Sequence, residues 1–309
     1  MLNMSRSYLR GSGSAWGKSF CWNRICVPYL SWRDVETVCR TRNGGRFYVK
    51  PNDFVENRLC FFGVWEPAVT RLFEHILKAG DVVVDVGANI GYYSILAEKL
   101  VGESGTVFAI EPSESIRQRL KRNLELNASK GIRVVPYGAW HQSDAADLHF
   151  IEGNRGSSTL SDADPSEKSE RIALRTLDSL IPTELHQRVT LMKIDVEGAE
   201  EFALLGAESI LRSASNLTVL CEVDPGRMAS LKGSAQRLIE LMQERGFSVF
   251  RIDNDYTVEG YISPAQRITL TPTIDCPTEA CDLVFFSSGS KLAHTGDGRI
   301  EIAAGRNSV

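Results

Sequence analysis

The stretch DVVVDVGANIG, Asp81 to Gly91, decides the fold. An apolar run, Val82-Val83-Val84, ends in the carboxylate of Asp85. A turn follows, Gly87-Ala88-Asn89-Ile90-Gly91, and then a helix-like pattern. A second apolar run, Val107 to Ile110, ends in Glu111, twenty residues beyond Gly91. A strand, a glycine turn, a helix and a second strand ending in an acid describe a nucleotide-type site at the carboxyl edge of a parallel sheet. The glycines let the backbone approach a ligand where a Cβ would collide. The acid closing the second strand is placed to accept both hydroxyls of a ribose.

Spacing selects the nucleotide. A dinucleotide fingerprint, G-x-G-x-x-G, would need glycines where Asn89 and Tyr92 stand. No Gly-Lys-Ser/Thr follows, so a phosphate-cradling Walker loop fails as well. A carboxylate before the turn repels phosphate and suits a cation, such as the sulfonium of S-adenosylmethionine (SAM). The D-x-G-x-x-x-G turn with its strand-end Glu resembles the first two motifs of class I SAM-dependent methyltransferases. An ordinary α/β turn with a solvated Glu is the alternative.

The chain has 309 residues, 43% of them hydrophobic, and a formal net charge of −4. It can bury a sizeable core and carries no global field to recruit nucleic acid. Seven dispersed cysteines fit a reducing compartment, and neither the Cys21/Cys26 nor the Cys276/Cys281 pair has zinc spacing. Residues 1–33 hold five basic side chains and no acid. They read as a partly ordered arm with Trp16, Phe20, Trp22 and Trp32 packing on the body. A cytoplasmic location is expected, with an organelle-targeting segment as the alternative for so acid-poor an N-terminus. No apolar run approaches a membrane span. The catalytic domain is expected over 34–287, and 288–309 as a flexible tail.

Between the ends, strands and helices alternate. A helix opens at Pro67 with Val69, Leu72, Phe73 and Ile76 on one face. Strands are expected at 81–86, 106–111, 132–139, 190–196, 217–223, 247–252 and 282–286, with two short β segments near 146–151 and 171–176. The pattern implies a doubly wound, seven-stranded, mostly parallel α/β sheet. With no helix before the last strand, that strand should insert antiparallel.

The second informative segment is LMKIDVEGAE, Leu191 to Glu200. Alternation puts Lys193, Asp195 and Glu197 on one side. Charges at the end of a central parallel strand are costly unless paired or bound. Either Lys193 and Asp195 form a structural ion pair, or Asp195 and Glu197 face a ligand at the mouth of the cleft. Together with DVGANIG, the Gly63-Val64-Trp65-Glu66-Pro67 run, Thr176-Leu177-Asp178 and the loop Gly153 to Ser158, this segment resembles the FkbM-type methyltransferase family across roughly residues 40–255.

The resemblance implies SAM-dependent O-methylation, usually of a sugar hydroxyl in a glycan or glycolipid or of a secondary metabolite. Carried onto this sequence, Asp85, Gly87, Asn89 and Gly91 line the methionine and ribose side, and Glu111 holds the ribose. Asp144 is placed to read the adenine amine, Glu66 to fold over the cofactor, and Asp195 and Glu197 to face the sulfonium or the acceptor. A hydroxyl is a poor nucleophile, so a base should take its proton. The candidates are Asp195, Glu197, Glu222 and His141; the bland alternatives are a Glu222 carboxylate capping its own loop and a surface His141. Asp195, Glu197 and Glu222 also supply oxygen ligands for Mg²⁺, although no spacing is diagnostic of it. The polar segment Gly153 to Glu170 reads as a lid, with Arg155 and Ser157 as substrate contacts. The competing acceptors are RNA, DNA and protein. A non-catalytic SAM-binding protein and an NAD(P) dehydrogenase are the remaining readings.

Overall fold

The computed structural model describes residues 2–11, 13–150, 158–160, 169–263, 267–273, 275–290 and 300–302. Its main sheet contains β1 (Val82–Val86), β2 (Thr106–Ile110), β3 (Ile132–Val135), β4 (Val189–Ile194), β5 (Thr218–Val223), β6 (Ser248–Ile252), β7 (Ile268–Pro272), β8 (Cys281–Phe286) and β9 (Ile300–Ile302). The order across the sheet is β9-β7-β6-β8-β5-β4-β1-β2-β3. Strands β3, β2, β1, β4 and β5 run parallel, and β8 inserts antiparallel to both β5 and β6. The doubly wound, mostly parallel α/β sheet with an antiparallel insertion is thus present. Beyond those seven strands, β7 and β9 extend one edge.

Each residue of β1 is buried, because helices cover both faces of the sheet. One layer buries Val69, Leu72, Phe73, Leu96 and Ala97 against it, and the other buries Leu204, Ile210, Leu238, Ile239 and Met242. The chain leaves β1 toward β2 on one side and reaches β4 on the other. That change of direction opens a crevice at the carboxyl ends of β1 and β4. Gly87 sits in it with φ +81°, and a Cβ there would lie 1.9 Å from the Asp195 carbonyl oxygen. The close contact between the β1 turn and the end of β4 therefore requires glycine.

Three details depart from the sequence expectations. The run expected as one strand over 132–139 divides: Ile132–Val135 stays in the main sheet, and Gly138–Ala139 pairs with Ser169–Arg175 in a second, four-stranded sheet. Asp144–Phe150 pairs antiparallel with Ser169–Arg175 in that sheet. The helix expected from about Glu197 starts at Glu200. Glu197 (φ 56°) and Gly198 (φ 105°) take left-handed backbone, which ends β4 in a turn before the helix begins. Within 1–33, Trp22 is buried against Phe61 and Phe62, whereas Trp16, Phe20 and Trp32 are exposed. The Arg10 guanidinium donates to the carbonyls of Leu59, Cys60 and Phe61, satisfying the end of the helix Phe54–Phe62. Among the described residues, no helix is long and apolar enough to cross a membrane.

Candidate active site

A cavity of about 290 Å³ runs along the carboxyl ends of the central strands. The turn Gly87 to Ile90 and Glu111 line one end. Lys193, Asp195, Glu197, Glu222, Glu66 and Tyr256 line the other. The second sheet contributes Leu148, Ile172 and Leu174, and the turn before the helix Pro67–Ile76 contributes Trp65.

At the first end, Glu111 accepts the N–H groups of Asn89 and Ser113, each at 3.0 Å. These bonds tie the end of β2 to the β1 turn and orient the carboxyl along the cavity. Burial pushes its pKa up to about 7, against the opposing pull of the two N–H groups. Asp85 lies under the cavity floor rather than in its wall, and Ser94 donates to it at 2.5 Å. Gly91 serves the turn: it precedes the helix Tyr92–Val101 at φ 90°, with Leu120 packed where a Cβ would be. The wall beyond Glu111 is mostly apolar, formed by Pro112, Ile116, Tyr137 and Ala139. Asp144 is exposed at the start of its strand, accepts the Ala145 N–H and does not line the cavity. Further along that strand, Leu148 is the residue that does.

The second end concentrates acid. Lys193 is buried and donates to Asp195 at 2.7 Å, with its ammonium 4.8 Å from the Tyr93 ring centre. Burial alone would lower its pKa, but Asp195, Glu66 and Asp85 raise it well above the usual lysine value. Burial also opposes charge on Asp195. Lys193, a hydrogen bond with Glu222, and Arg227 outweigh that and hold Asp195 below the usual carboxylate range. Glu222 goes the other way: the adjacent Asp195 charge, then burial, push it up to about 10. The pair therefore shares one proton near neutrality. Glu222 also pairs in register with Asp282, which burial and Glu66 push up to about 8. Glu197 pairs with Arg227. Lys193 and Asp195 thus form the ion pair, and Asp195 and Glu197 both line the cavity.

Glu66 forms no side-chain cap on the helix it precedes. Its carboxyl accepts from Tyr93 at 2.5 Å and from Tyr256 at 2.8 Å, and burial raises its pKa. Glu66, Asn89 and Glu197 are three of five described non-glycine residues with positive φ, and all three line the cavity. Backbone strain of this kind collects where surrounding structure fixes a functional geometry. His141 is exposed, packs against Trp140 and Phe202, and does not line the cavity. Arg155, Ser157 and most of the expected lid lie outside the described residues.

Sequence reasoning missed Tyr93, Tyr256 and Glu200. Tyr256 belongs to the loop after β6, so its carboxyl-edge position was the available signal. Glu200 accepts the N–H groups of Val196 and Gly198, each at 3.1 Å, and holds the turn that presents Asp195 and Glu197. Its other oxygen is buried without a hydrogen-bond partner, and burial raises its pKa to about 7. Glu111 and Glu200 thus keep protons in the folded chain that the unfolded chain releases near pH 4 to 5. The folded state binds more protons across this window, so unfolding free energy should fall as pH rises from about 5 to about 7. Urea midpoints at those two pH values measure the slope, and Glu200→Gln should flatten it.

Among the described residues, no group of three or more His, Cys, Asp or Glu is arranged to hold a metal ion. The model of the methyltransferase FkbM domain matches residues 85–249. Methyltransferase 1 of Beauveria bassiana is 24% identical over 186 residues, covering 54% of this chain and 72% of that protein. Methyltransferase sdnD of Sordaria araneosa is 25% identical over 208 residues, covering 57% and 76%. Of solved structures, an FkbM methyltransferase from Methylobacillus flagellatus is 16% identical with a TM-score of 0.41, covering 75% of this chain and 53% of that one.

Proposed function

The chain belongs to the FkbM methyltransferase family and is a SAM-dependent methyltransferase; on that footing we propose that it methylates a hydroxyl group, on a sugar or a secondary metabolite. The observation that carries this reading is the Asp195–Glu222 carboxyl pair, whose members are pushed apart in pKa at the acid-rich end of the cavity.

The residues fit SAM. A strand-end carboxyl, a positive-φ turn and an apolar slot suit the nucleoside, and an excess of carboxyls suits a sulfonium. When bound, SAM supplies a methyl group already activated by positive sulfur. The chain's own work is alignment and proton handling. Glu111 is placed for the ribose hydroxyls, and Pro112, Ile116, Tyr137 and Ala139 for the base. Lys193 fixes one oxygen of Asp195, leaving the carboxyl pair to receive a hydroxyl proton. A positive charge in the cavity favours the ionised form of Glu222, drawing its pKa down toward neutrality and making the pair a better base. The second sheet covers the slot and limits water.

Glu111→Gln should weaken S-adenosylhomocysteine binding by about tenfold, because the amide offers an N–H where Asn89 or Ser113 needs an acceptor. Isothermal titration measures this, with circular dichroism to check the fold. The acceptor class is tested with methyl-labelled SAM and a panel of glycosides, polyketide alcohols, amines, RNA and protein, each with Mg²⁺ and with a chelator. Label on a hydroxyl supports the proposal. Label on an amine or on RNA alone refutes it.

A further inference from the structure

We propose that the N-terminal arm docks the enzyme on an anionic lipid surface, beside the mouth of the methyl-transfer cleft. The helix Ala15–Cys21 continues through a π turn at Trp22–Cys26 into Val27–Tyr29. Its inner side buries Cys21, Trp22 and Cys26. Its outer side carries Trp16, 78% exposed, and Phe20, 53% exposed, with their rings stacked at 5.8 Å. Beside them a surface groove is completed by Ser19, Asn23 and Arg24. Tyr29 and Trp32 follow on the same segment and are also mostly exposed. Six of the twelve large hydrophobic side chains exposed among the described residues fall within the first 33 positions.

Such exposure is costly in water and marks a surface that meets something apolar. The chemistry selects the partner. Trp and Phe beside Arg is the composition that settles at the boundary of headgroups and acyl chains. Charge agrees: the first 33 residues contain no acid, and Arg24 and Arg33 are exposed. Acids flank the arm rather than lie within it: Glu259 accepts from Ser19 at 3.5 Å, and Asp34 and Glu36 follow Arg33. A single amphipathic face with few charges gives reversible attachment that depends on anionic lipid.

Position gives the arm a purpose. The helix Ala15–Cys21 packs on the short helix Val258–Ile262, which directly follows Tyr256 of the cavity wall. Tyr261 of that helix lies against Trp65, another wall residue. A bilayer under the arm would therefore lie beside the cleft, where an acceptor carried on a lipid could reach it.

Full-length protein is sedimented with vesicles of phosphatidylcholine alone and of phosphatidylcholine with one quarter phosphatidylserine. Binding to the mixed vesicles, reduced by added salt, is expected. Trp16→Ser with Phe20→Ser should lower it by at least about tenfold, given the apolar area removed. S-adenosylhomocysteine affinity should not change, since neither residue lines the cleft. This separates failure of the docking proposal from failure of the methyltransferase reading. No binding to either vesicle, or binding that survives the double substitution, overturns the proposal. So does light scattering that shows a dimer dissolved by the same substitutions, which would make this face a contact between two copies.

Discussion

Asp195→Asn should lower the rate of methyl transfer by about a hundredfold to ten-thousandfold, the range for removing a positioned acid–base group. Asn keeps the size of the side chain and can still accept from Lys193, so the cavity should keep its shape. What it loses is the negative charge that receives a proton and shifts Glu222 upward. Glu222→Gln provides the contrast. Near neutrality Glu222 holds a proton, and an amide N–H can donate to Asp195 in its place. Its effect on binding should therefore be small, while the rise of kcat with pH that depends on ionising Glu222 should flatten. Steady-state rates across pH, with S-adenosylhomocysteine affinity measured for each variant, separate the two roles. An Asp195→Asn enzyme with near-normal kcat would remove the carboxyl pair from the chemistry.

Lys193→Met should reduce unfolding free energy by about 3–5 kcal/mol, the usual effect of removing one partner from a buried ion pair. Methionine fills most of the volume, so the loss is electrostatic. Asp195, Glu66 and Asp85 each gain stability from the Lys193 charge. Without it, their pKa values rise and the folded mutant takes up protons that the wild type does not. The deficit should then shrink as pH falls and those carboxyls are neutralised. Urea denaturation near neutral pH and near pH 5 provides the comparison. A loss below about 1 kcal/mol that does not change with pH would mean the buried carboxyls are stabilised by something else.

The fold was legible because its signals are local. Val82–Val84 is apolar on both faces, Glu111 closes the next strand, and Pro67 marks a helix start. The β1 turn was legible for the same reason, since Gly87 and Gly91 answer to steric limits visible in a short motif. Residues whose roles depend on register and distant pairing were harder to place. Asp144 and Leu148 lie on one strand, and sequence does not tell which of them reaches the cavity. Glu222 and Asp282 meet because β8 inserts antiparallel beside β5, a pairing that joins residues sixty apart. Tyr256 reaches Glu66 across an even longer separation. Two short β segments are visible in the sequence, but their place along the cavity depends on pairing between distant residues.

The most direct test of the central claim is a calorimetric titration of S-adenosylhomocysteine into the full chain, with NAD⁺ titrated in parallel. The geometry predicts saturable micromolar binding of S-adenosylhomocysteine, weakened by Glu111→Gln, and no binding of NAD⁺. Preference for NAD⁺, or affinity for S-adenosylhomocysteine that is unchanged by Glu111→Gln in a folded protein, would contradict the assignment of the cleft.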